Sequence, residues 1–261
     1  MAESNNFPLP RSIMHDVAPA VFASEPYKNC SDKYRFISTI DVLDALYDEG
    51  YRVHMIGQSK PRLADKNNFA KHIVRLRHES PNSKGVANEI VLRNSSDTSS
   101  SAVMMAGVFR TVCMNGLIAG DISQEIKIKH IGTSVGDYID GAYTIINQFK
   151  EIDKHREAME QTYLSKDKMN VFAEEAMAIR FDESKEHILG SYLLHQRRQA
   201  DLTPDLFTTF NVVQENLLKW SIWGYTNKCN FKTMRKVTAI DETVRINREL
   251  WNLAEKYLEA A

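Results

Sequence analysis

The sequence predicts an α+β protein: an antiparallel meander of three to four strands packed on helices, followed by a mostly helical C-terminal half. Four segments between residues 51 and 132 alternate apolar and polar side chains, as strands do in a sheet with one solvated face. Their connections are rich in turn residues, as in "SPNSKGVA". After residue 133 the apolar residues recur at helical spacing. We therefore expect an irregular segment over 1–36, an α+β core over 37–132, and a helical region over 133–261 packed on the core.

The core begins with a helix in "STIDVLDALYDEG", where Ser38 can act as the N-cap and Gly50 can end the helix. Strands are predicted in "YRVHMIGQ", "HIVRLRHE", "NEIVLRNS" and "SQEIKIKHI". Between the third and fourth strands, apolar residues recur at helical spacing over residues 101–113. This spacing predicts a helix buried against the sheet.

The C-terminal half contains several amphipathic segments. Helices are predicted in "SVGDYIDGAYTIINQFK" and its continuation, in "KDKMNVFAEEAMAIRF", and in "TPDLFTTFNVVQENLLKW", with Thr203 as N-cap and Pro204 in the first turn. A basic loop is expected over 224–238. The helix "DETVRINRELWNLAEKYLEA" closes the chain.

Composition limits the class of protein. The 261 residues are 43% hydrophobic and 26% charged, which is enough for a core and ordinary for a soluble protein. No apolar run approaches eighteen residues, so no membrane span is expected, and the N-terminus lacks the apolar core of a signal peptide. Three widely spaced cysteines suit a reducing compartment, so we expect a cytoplasmic location.

The net charge of −1 hides two basic segments. Between Arg52 and Arg93 nine basic residues face three acidic ones, and between Lys219 and Arg248 seven face two. Basic clusters of this kind can bind phosphates. If the strand register is as predicted, one sheet face carries Arg52, His54, Arg75, Arg77, Arg93, Lys127 and Lys129. The alternative is that this is only the polar face that any open sheet needs.

The second basic segment holds the loop "GYTNKCNFKTMRK", which mixes Tyr225 and Phe231 with Lys228, Lys232, Arg235 and Lys236. Aromatic and basic residues together can stack on and neutralise a single strand. A mobile solvated loop would have a similar composition, so the two interpretations stay open.

Catalytic and metal sites have little support. Cys113, near Arg110, is a candidate nucleophile, but a cysteine at the end of an apolar segment is more often buried in a core. His72 and His78 are too far apart along a straight strand to share a metal, and no CxxC, HxxH or HExxH motif occurs. The glycine-containing segments match no nucleotide-binding motif. We predict no catalytic residue, metal or cofactor.

The stretch "EIVLRNSSDTSSSAVMMAGVFRTVCMNGLIAG" resembles the signature of the domain-of-unknown-function 932 family. In that family a hydrophobic strand runs into an Asn-Ser element, then into a small-residue helix and then into a Phe-Arg…Cys-x-Asn-Gly-Leu turn. The likeness extends over roughly residues 21–257. It departs where members commonly have Asp-Gly, since this chain has Asp97-Thr98. The resemblance marks a structural corner formed by Asn94, Phe109, Arg110, Cys113, Asn115 and Gly116.

The resemblance implies a phage, prophage or plasmid context and brings no established catalytic residue. Our first hypothesis is a non-catalytic single-stranded DNA binding or annealing factor that could act as a homo-oligomer, because three strands followed by a packed helix are similar to the core of ring-forming annealing proteins. The second is a module that binds a host defence protein through apolar anchors: Tyr192, Leu193, Leu194, Trp220 and Trp223. An enzyme whose site cannot be read from the sequence is the third.

Overall fold

The computed structural model is an α+β structure, which confirms the predicted fold class. It describes residues 2–3, 7–28, 34–79, 85–110, 115–120, 125–128, 134–181, 186–226 and 231–260. The chain forms two compact units, which are described separately below. Unit 1 comprises Met1–Phe109 and Ile122–Phe149, and unit 2 comprises Arg110–Asp121 and Lys150–Ala261.

The sheet of unit 1 follows the chain order. Its neighbouring strands are β1 (Ala2–Glu3), β2 (Tyr51–Gln58), β3 (His72–His78), β4 (Val86–Asn94) and β5 (Ala102–Arg110). Strand β6 (Asn115–Ile118) lies in unit 2, and β7 (Ile126–Ile128) pairs antiparallel with β5. The predicted strands that begin at residues 51, 72, 88 and 123 are therefore all present, the last three with different ends.

The predicted helix over residues 101–113 is wrong, because the described part of this segment is strand β5. All nine residues of β5 are buried. A strand buried on both faces needs no polar alternation, so its sequence is a continuous apolar run that spacing cannot distinguish from a buried helix. Because β5 takes the place of the helix expected after three strands, the likeness to annealing-protein cores that rested on that order has no support.

The N-terminal segment of unit 1, expected to be irregular, contains helix α1 (Arg11–Val17) and a 3₁₀ turn at Pro19–Phe22. Helix α2 (Thr39–Asp48) begins after Ser38, as predicted, but the Ser38 hydroxyl donates to the Ala23 carbonyl at 2.7 Å instead of capping the helix. Helix α2 ends before Gly50, whose φ of 83° is the left-handed conformation that glycine adopts without strain.

Helix α3 (Val135–Gln161) begins in unit 1 and ends in unit 2. Within unit 1, a Cβ atom built on Gly141 would lie 3.3 Å from Met104 and Ile126 side-chain atoms. The helix backbone therefore packs closely on β5 and β7.

Unit 2 is built around a helix that is buried on every side. Its elements are α4 (Lys166–Arg180), β8 (Glu186–His187), a 3₁₀ turn at Gly190–Leu194, α5 (Leu206–Lys219), β9 (Ile222–Thr226), β10 (Phe231–Met234) and α6 (Ile240–Glu259). Every residue of α5 from 206 to 218 is buried. The N-cap of α5 is Asp205 rather than Thr203, since an Asp205 carboxylate oxygen accepts from the Thr208 amide at 2.7 Å.

The predicted loop over 224–238 is wrong in its first part, where β9 and β10 form an antiparallel hairpin. The segment is rich in lysine and asparagine, which favoured a loop. Its aromatic and threonine residues, however, have high strand propensity.

Candidate nucleic-acid interface

The register of β2, β3 and β4 places the predicted basic residues on one face of the sheet. Arg52 lies opposite Arg77, and Arg77 lies opposite Glu89. Farther along the same face, Arg75 pairs with Val91 and Arg93 pairs with Ile73. Lys127 of β7 lies opposite Val103 of β5. The face that the sequence predicted therefore carries an acid, Glu89, among its arginines.

Glu89 is the centre of a buried ionic cluster, defined here as Glu89, Arg75, Arg77 and His54. Glu89 is 0% exposed. Arg75 Nε donates to one carboxylate oxygen at 2.6 Å, and Arg77 Nε donates to the other at 2.8 Å. The His54 ring nitrogen Nε2 contacts the same oxygen as Arg77. The carboxylate thus holds three basic side chains from two neighbouring strands.

The hydrogen bonds of the cluster fix the tautomer of His54. Nε2 faces the Glu89 carboxylate, so it carries the proton, while Nδ1 accepts from an Arg77 guanidinium nitrogen at 2.9 Å. Burial lowers the pKa of His54 even though the Glu89 carboxylate opposes this shift. Phe109 packs against the cluster, because the Arg77 guanidinium carbon lies 3.5 Å from the centroid of the Phe109 ring. His54 is therefore a neutral bridge between an anion and a cation.

Burial alone would raise the pKa of Glu89, but the positive charge of Arg75, the hydrogen bond from His54 and the positive charge of Arg77 outweigh burial and hold that pKa far below its usual range. The carboxylate is therefore ionised inside the protein. Arg75 is only 5% exposed. The expectation that Arg75, Arg77 and His54 form an open, solvated basic face is wrong, because Glu89 binds all three in an internal ion-pair cluster.

The remaining residues of the predicted face are engaged locally. Arg52 donates to the Tyr47 carbonyl at 2.6 Å and lies 2.9 Å from a Glu79 carboxylate oxygen. Lys127 has a 64% exposed side chain and pairs with Glu125 at 3.2 Å. Arg93 is half-buried, and Lys129 lies outside the described residues. The structure does not bring these residues together as one exposed surface.

The hairpin of β9 and β10 presents the second basic segment. Ile222 and Gly224 of β9 are buried, whereas Tyr225 is 53% exposed. Arg235 and Lys236, directly after β10, are also exposed. Lys228 lies outside the described residues, and only the backbone of Lys232 is described. No acidic residue occurs from Trp220 to Ile240, although Glu186 of β8 lies opposite Thr226 of β9.

Two contacts hold the base of this hairpin to the helices of unit 2. The Arg180 guanidinium donates to the carbonyls of Leu217 and Arg235. The Val237 amide donates to the Leu218 carbonyl at 2.9 Å. The backbone at the end of β10 is therefore fixed to α4 and α5.

The described residues of the signature corner have structural contacts. Asn94 donates to the Thr39 hydroxyl at 3.0 Å, and Thr39 lies 2.9 Å from Nε2 of the fully buried His72. His72 Nδ1 lies 3.0 Å from the Ala70 carbonyl. The neutral histidine is thus fully hydrogen-bonded, and this chain fixes the start of α2 to β3 and β4. Gly116 is half-buried, Cys113 lies outside the described residues, and only the backbone of Asn115 is described.

Arg110 anchors a loop within unit 2. Its guanidinium donates to Asp201 at 2.9 Å and to the Ala200 carbonyl at 2.7 Å. Arg198 donates to both carboxylate oxygens of Glu215 on α5, at 2.7 and 2.8 Å. Three acids that bind these arginines were not identified from the sequence as functional partners: Glu89, Asp201 and Glu215. Of the three, only Glu89 could have been recognised, because it lies among basic residues on one face of a predicted strand.

Unit 1 contains a cavity that could hold a small ligand. The cavity has a volume of about 220 Å³, is half-open and is lined mostly by apolar residues. Its lining is Leu46, Glu49, Tyr51, His78, Ile139, Ala142, Tyr143 and Ile146. Within the part of the chain that the structure describes, no three His, Cys, Asp or Glu side chains are grouped closely enough to hold a metal ion. Among the same residues, no helix has the length and apolar character needed to span a membrane.

The fold and the site define an α+β protein in which Glu89 binds Arg75 and Arg77 of the large sheet inside unit 1, and in which Arg235 and Lys236 are exposed directly after the hairpin of unit 2. The chain belongs to the family described as "Domain of unknown function (DUF932)", whose model matches residues 26–251. It is similar to UPF0380 protein YafZ and UPF0380 protein YfjQ of Escherichia coli (strain K12). Each is 36% identical over 251 residues, covering 96% of this chain and 92% of the relative. No solved structure matches.

Proposed function

We propose that this protein binds nucleic acid, most concretely single-stranded DNA, as a non-catalytic binding or annealing factor. The observation that carries the proposal is the β9–β10 hairpin with its following residues, a segment of four bases and no acid, with exposed Tyr225, Arg235 and Lys236. Basic side chains neutralise phosphates, and an aromatic residue among them can stack on a base. The phage or plasmid context implied by the family resemblance fits a protein that handles DNA.

The buried ionic cluster has no direct part in this proposal. Arg75 and Arg77 already hold Glu89 inside the protein, so binding of a phosphate there would require a buried ion pair to break. In this proposal the basic residues of the hairpin segment bind the phosphates, and the buried ionic cluster stabilises the sheet by linking its strands.

The test is fluorescence anisotropy with an end-labelled oligo-dT at low and rising salt. A variant with Lys228, Lys232, Arg235 and Lys236 all changed to Ala should bind more weakly, and its salt slope should fall by roughly 0.7 for each phosphate that the variant no longer neutralises. The matched control changes four exposed lysines of α3 and α4 to Ala: Lys150, Lys154, Lys166 and Lys168. Absence of binding by the wild type at low salt, or an equal weakening of binding in both variants, would refute the proposal.

A second candidate function, binding of a host defence protein, is favoured by exposed apolar residues beside the 3₁₀ turn of unit 2. Leu189 is 64% and Tyr192 53% exposed, although Leu193, expected to be an anchor, is fully buried. Trp220 is 44% exposed, and the Arg197 guanidinium carbon lies 3.9 Å from its ring centroid. Recovery of one host protein that survives nuclease and high salt, and is abolished in Tyr192→Ala, would support this function over the first.

A further inference from the structure

The cavity of unit 1 lies where the end of α2, the first pair of β2 and β3, and helix α3 meet. Tyr51 of β2 lies directly opposite His78 of β3, so both side chains lie on one face of the sheet. The α3 residues of the lining occur at helical positions i, i+3, i+4 and i+7, and therefore share one helix face. They are Ile139, Ala142, Tyr143 and Ile146. Leu46 and Glu49, from the end of α2, complete the lining.

Aromatic rings form part of the cavity wall. The ring centroids of Tyr51 and His78 are 5.2 Å apart, and the two ring planes meet at 77°, as adjacent walls of a cage do. Gly50 permits this arrangement, because a Cβ atom at that position would lie 2.8 Å from Nε2 of His78. Tyr51 is 6% exposed, whereas Tyr143 is 47% exposed. The cavity therefore extends from a buried tyrosine to a second tyrosine at its opening.

The opening of the cavity carries a negative charge. The Tyr143 hydroxyl donates to Oε2 of the exposed Glu49, so the carboxylate is held beside the ring that lies at the opening. None of the eight described residues of the lining is lysine or arginine. Arg52, which follows Tyr51 in the chain, lies 2.9 Å from a Glu79 carboxylate oxygen and so has its own anionic partner. The lining therefore combines a carboxylate with aromatic and aliphatic side chains.

We propose that this cavity binds a small quaternary ammonium group. Cations are attracted to the electron-rich faces of aromatic rings, and aromatic cages recognise methylated ammonium groups in this way. The volume of about 220 Å³ is below the roughly 300 Å³ at which sites for drug-sized ligands begin, so the occupant is small. The inference is independent of nucleic-acid binding, because every residue of the lining belongs to unit 1 and the hairpin belongs to unit 2.

The aliphatic part of the lining selects a methylated ammonium group over an unmethylated one. A primary ammonium group has three hydrogen-bond donors, and each donor that is buried without an acceptor costs free energy. Leu46, Ile139 and Ile146 have no acceptor on their side chains, but they can pack against methyl groups. An uncharged apolar ligand would gain nothing from the Glu49 carboxylate. A cation with a methylated surface matches both features together.

The first experiment measures binding of choline to the full chain by ligand-observed NMR, with dimethylbutanol, the uncharged carbon isostere of choline, as the comparison. Choline should bind more tightly. Tyr143→Ala should weaken choline binding roughly 2- to 30-fold, because one ring is lost from the cage. Tyr143→Phe should retain most of the affinity, because it keeps the ring. Tyr192→Ala is the matched control, since Tyr192 is 53% exposed in unit 2, and it should bind choline as the wild type does.

A second variant separates charge from shape. Glu49→Gln should weaken choline binding and leave dimethylbutanol binding unchanged, because it removes the charge and keeps the size of the side chain. A peptide that contains trimethyl-lysine distinguishes the sources of the group: tighter binding of the peptide than of choline would assign a methylated side chain, and weaker binding would assign a free ion. Equal affinities for choline and dimethylbutanol, unchanged choline affinity in Tyr143→Ala, or no binding of choline and the peptide by the wild type would each overturn the proposal.

Discussion

Glu89 has no exposed surface and is nevertheless ionised, because Arg75, Arg77 and His54 surround its carboxylate. Such a cluster stabilises the protein only while every member has its partner. The same holds in unit 2, where Arg110 meets the buried Asp201. At the scale of single residues, these charges act as internal cross-links between strands or between a strand and a loop.

Replacing Glu89 with Gln should lower the free energy of unfolding by about 3–5 kcal/mol, since it leaves buried arginines without their anion. Glu79→Gln is the control. Glu79 pairs with Arg52 at 2.9 Å but has a 53% exposed side chain, so its replacement should cost less than about 1 kcal/mol. Urea unfolding at pH 7 measures both. Equal, small decreases in stability would show that the cluster contributes little.

His72 should make stability depend on pH. Burial lowers the pKa of His72 to about 4, whereas an unfolded histidine titrates near pH 6.5. Because the unfolded chain takes up the proton first, stability present above about pH 6.5 is lost as pH falls toward about 4, by about 3 kcal/mol in total. Unfolding free energies between pH 7.5 and 4 should therefore fall less steeply in His72→Gln than in the wild type. Equal slopes in His72→Gln and in the wild type would refute the assignment.

Thr98 has a φ of 63°, the left-handed conformation that a residue with a Cβ atom adopts at a cost. At this position, members of the DUF932 family commonly have the glycine of an Asp-Gly pair. Thr98→Gly should therefore raise the unfolding free energy by roughly 0.5–1 kcal/mol, after the entropy cost of glycine is subtracted. Thr98→Ala keeps the Cβ atom and should show no such gain. A decrease of stability in the glycine variant would contradict this account of the turn.

At the scale of elements, sequence periodicity predicts an element whose apolar and polar residues alternate regularly and fails where every residue is apolar. Strands β2 and β3 and helix α2 were predicted correctly because each has one apolar and one polar side, although most residues on both faces of β2 and β3 are buried. Strand β5 is buried throughout, so its alanine, methionine and valine spacing matched a helix equally well. Helix α5 is buried throughout as well, but at fourteen residues it is too long to be mistaken for a strand.

Gly190 tests how closely two elements of unit 2 approach. A Cβ atom at this position would lie 2.6–2.8 Å from backbone atoms of Ala173 and Glu174 on α4. Gly190→Ala should therefore destabilise the protein by roughly 1–3 kcal/mol, because backbone atoms must move. Gly136→Ala in α3 is the counterpart. Its Cβ would meet only the Ser134 hydroxyl at 3.4 Å, so helix propensity should give a gain of about 0.5–1 kcal/mol. Thermal or urea unfolding that ranks the two variants in the opposite order would contradict this packing.

At the scale of the whole molecule, the α+β class and the order of α2, β2, β3 and β4 could be predicted from the sequence. The candidate site could be predicted only in part. Sequence alone grouped the arginines of the sheet correctly but could not show that Glu89 neutralises them, because the consequence of one acid depends on burial and cross-strand register. The basic residues of the segment 224–238 could be listed from the sequence, whereas the antiparallel pairing of β9 with β10 has no local sequence signal.

The central claim is that nucleic acid binds at the hairpin and not at the sheet face of unit 1. Ultraviolet cross-linking of the folded protein to a photoreactive single-stranded oligonucleotide, followed by peptide mapping, tests it most directly. We expect cross-links in peptides from residues 219–236 that disappear at high salt, because phosphate contacts carry the affinity. Cross-links concentrated in residues 52–93, or none above those of a control protein, would contradict the claim.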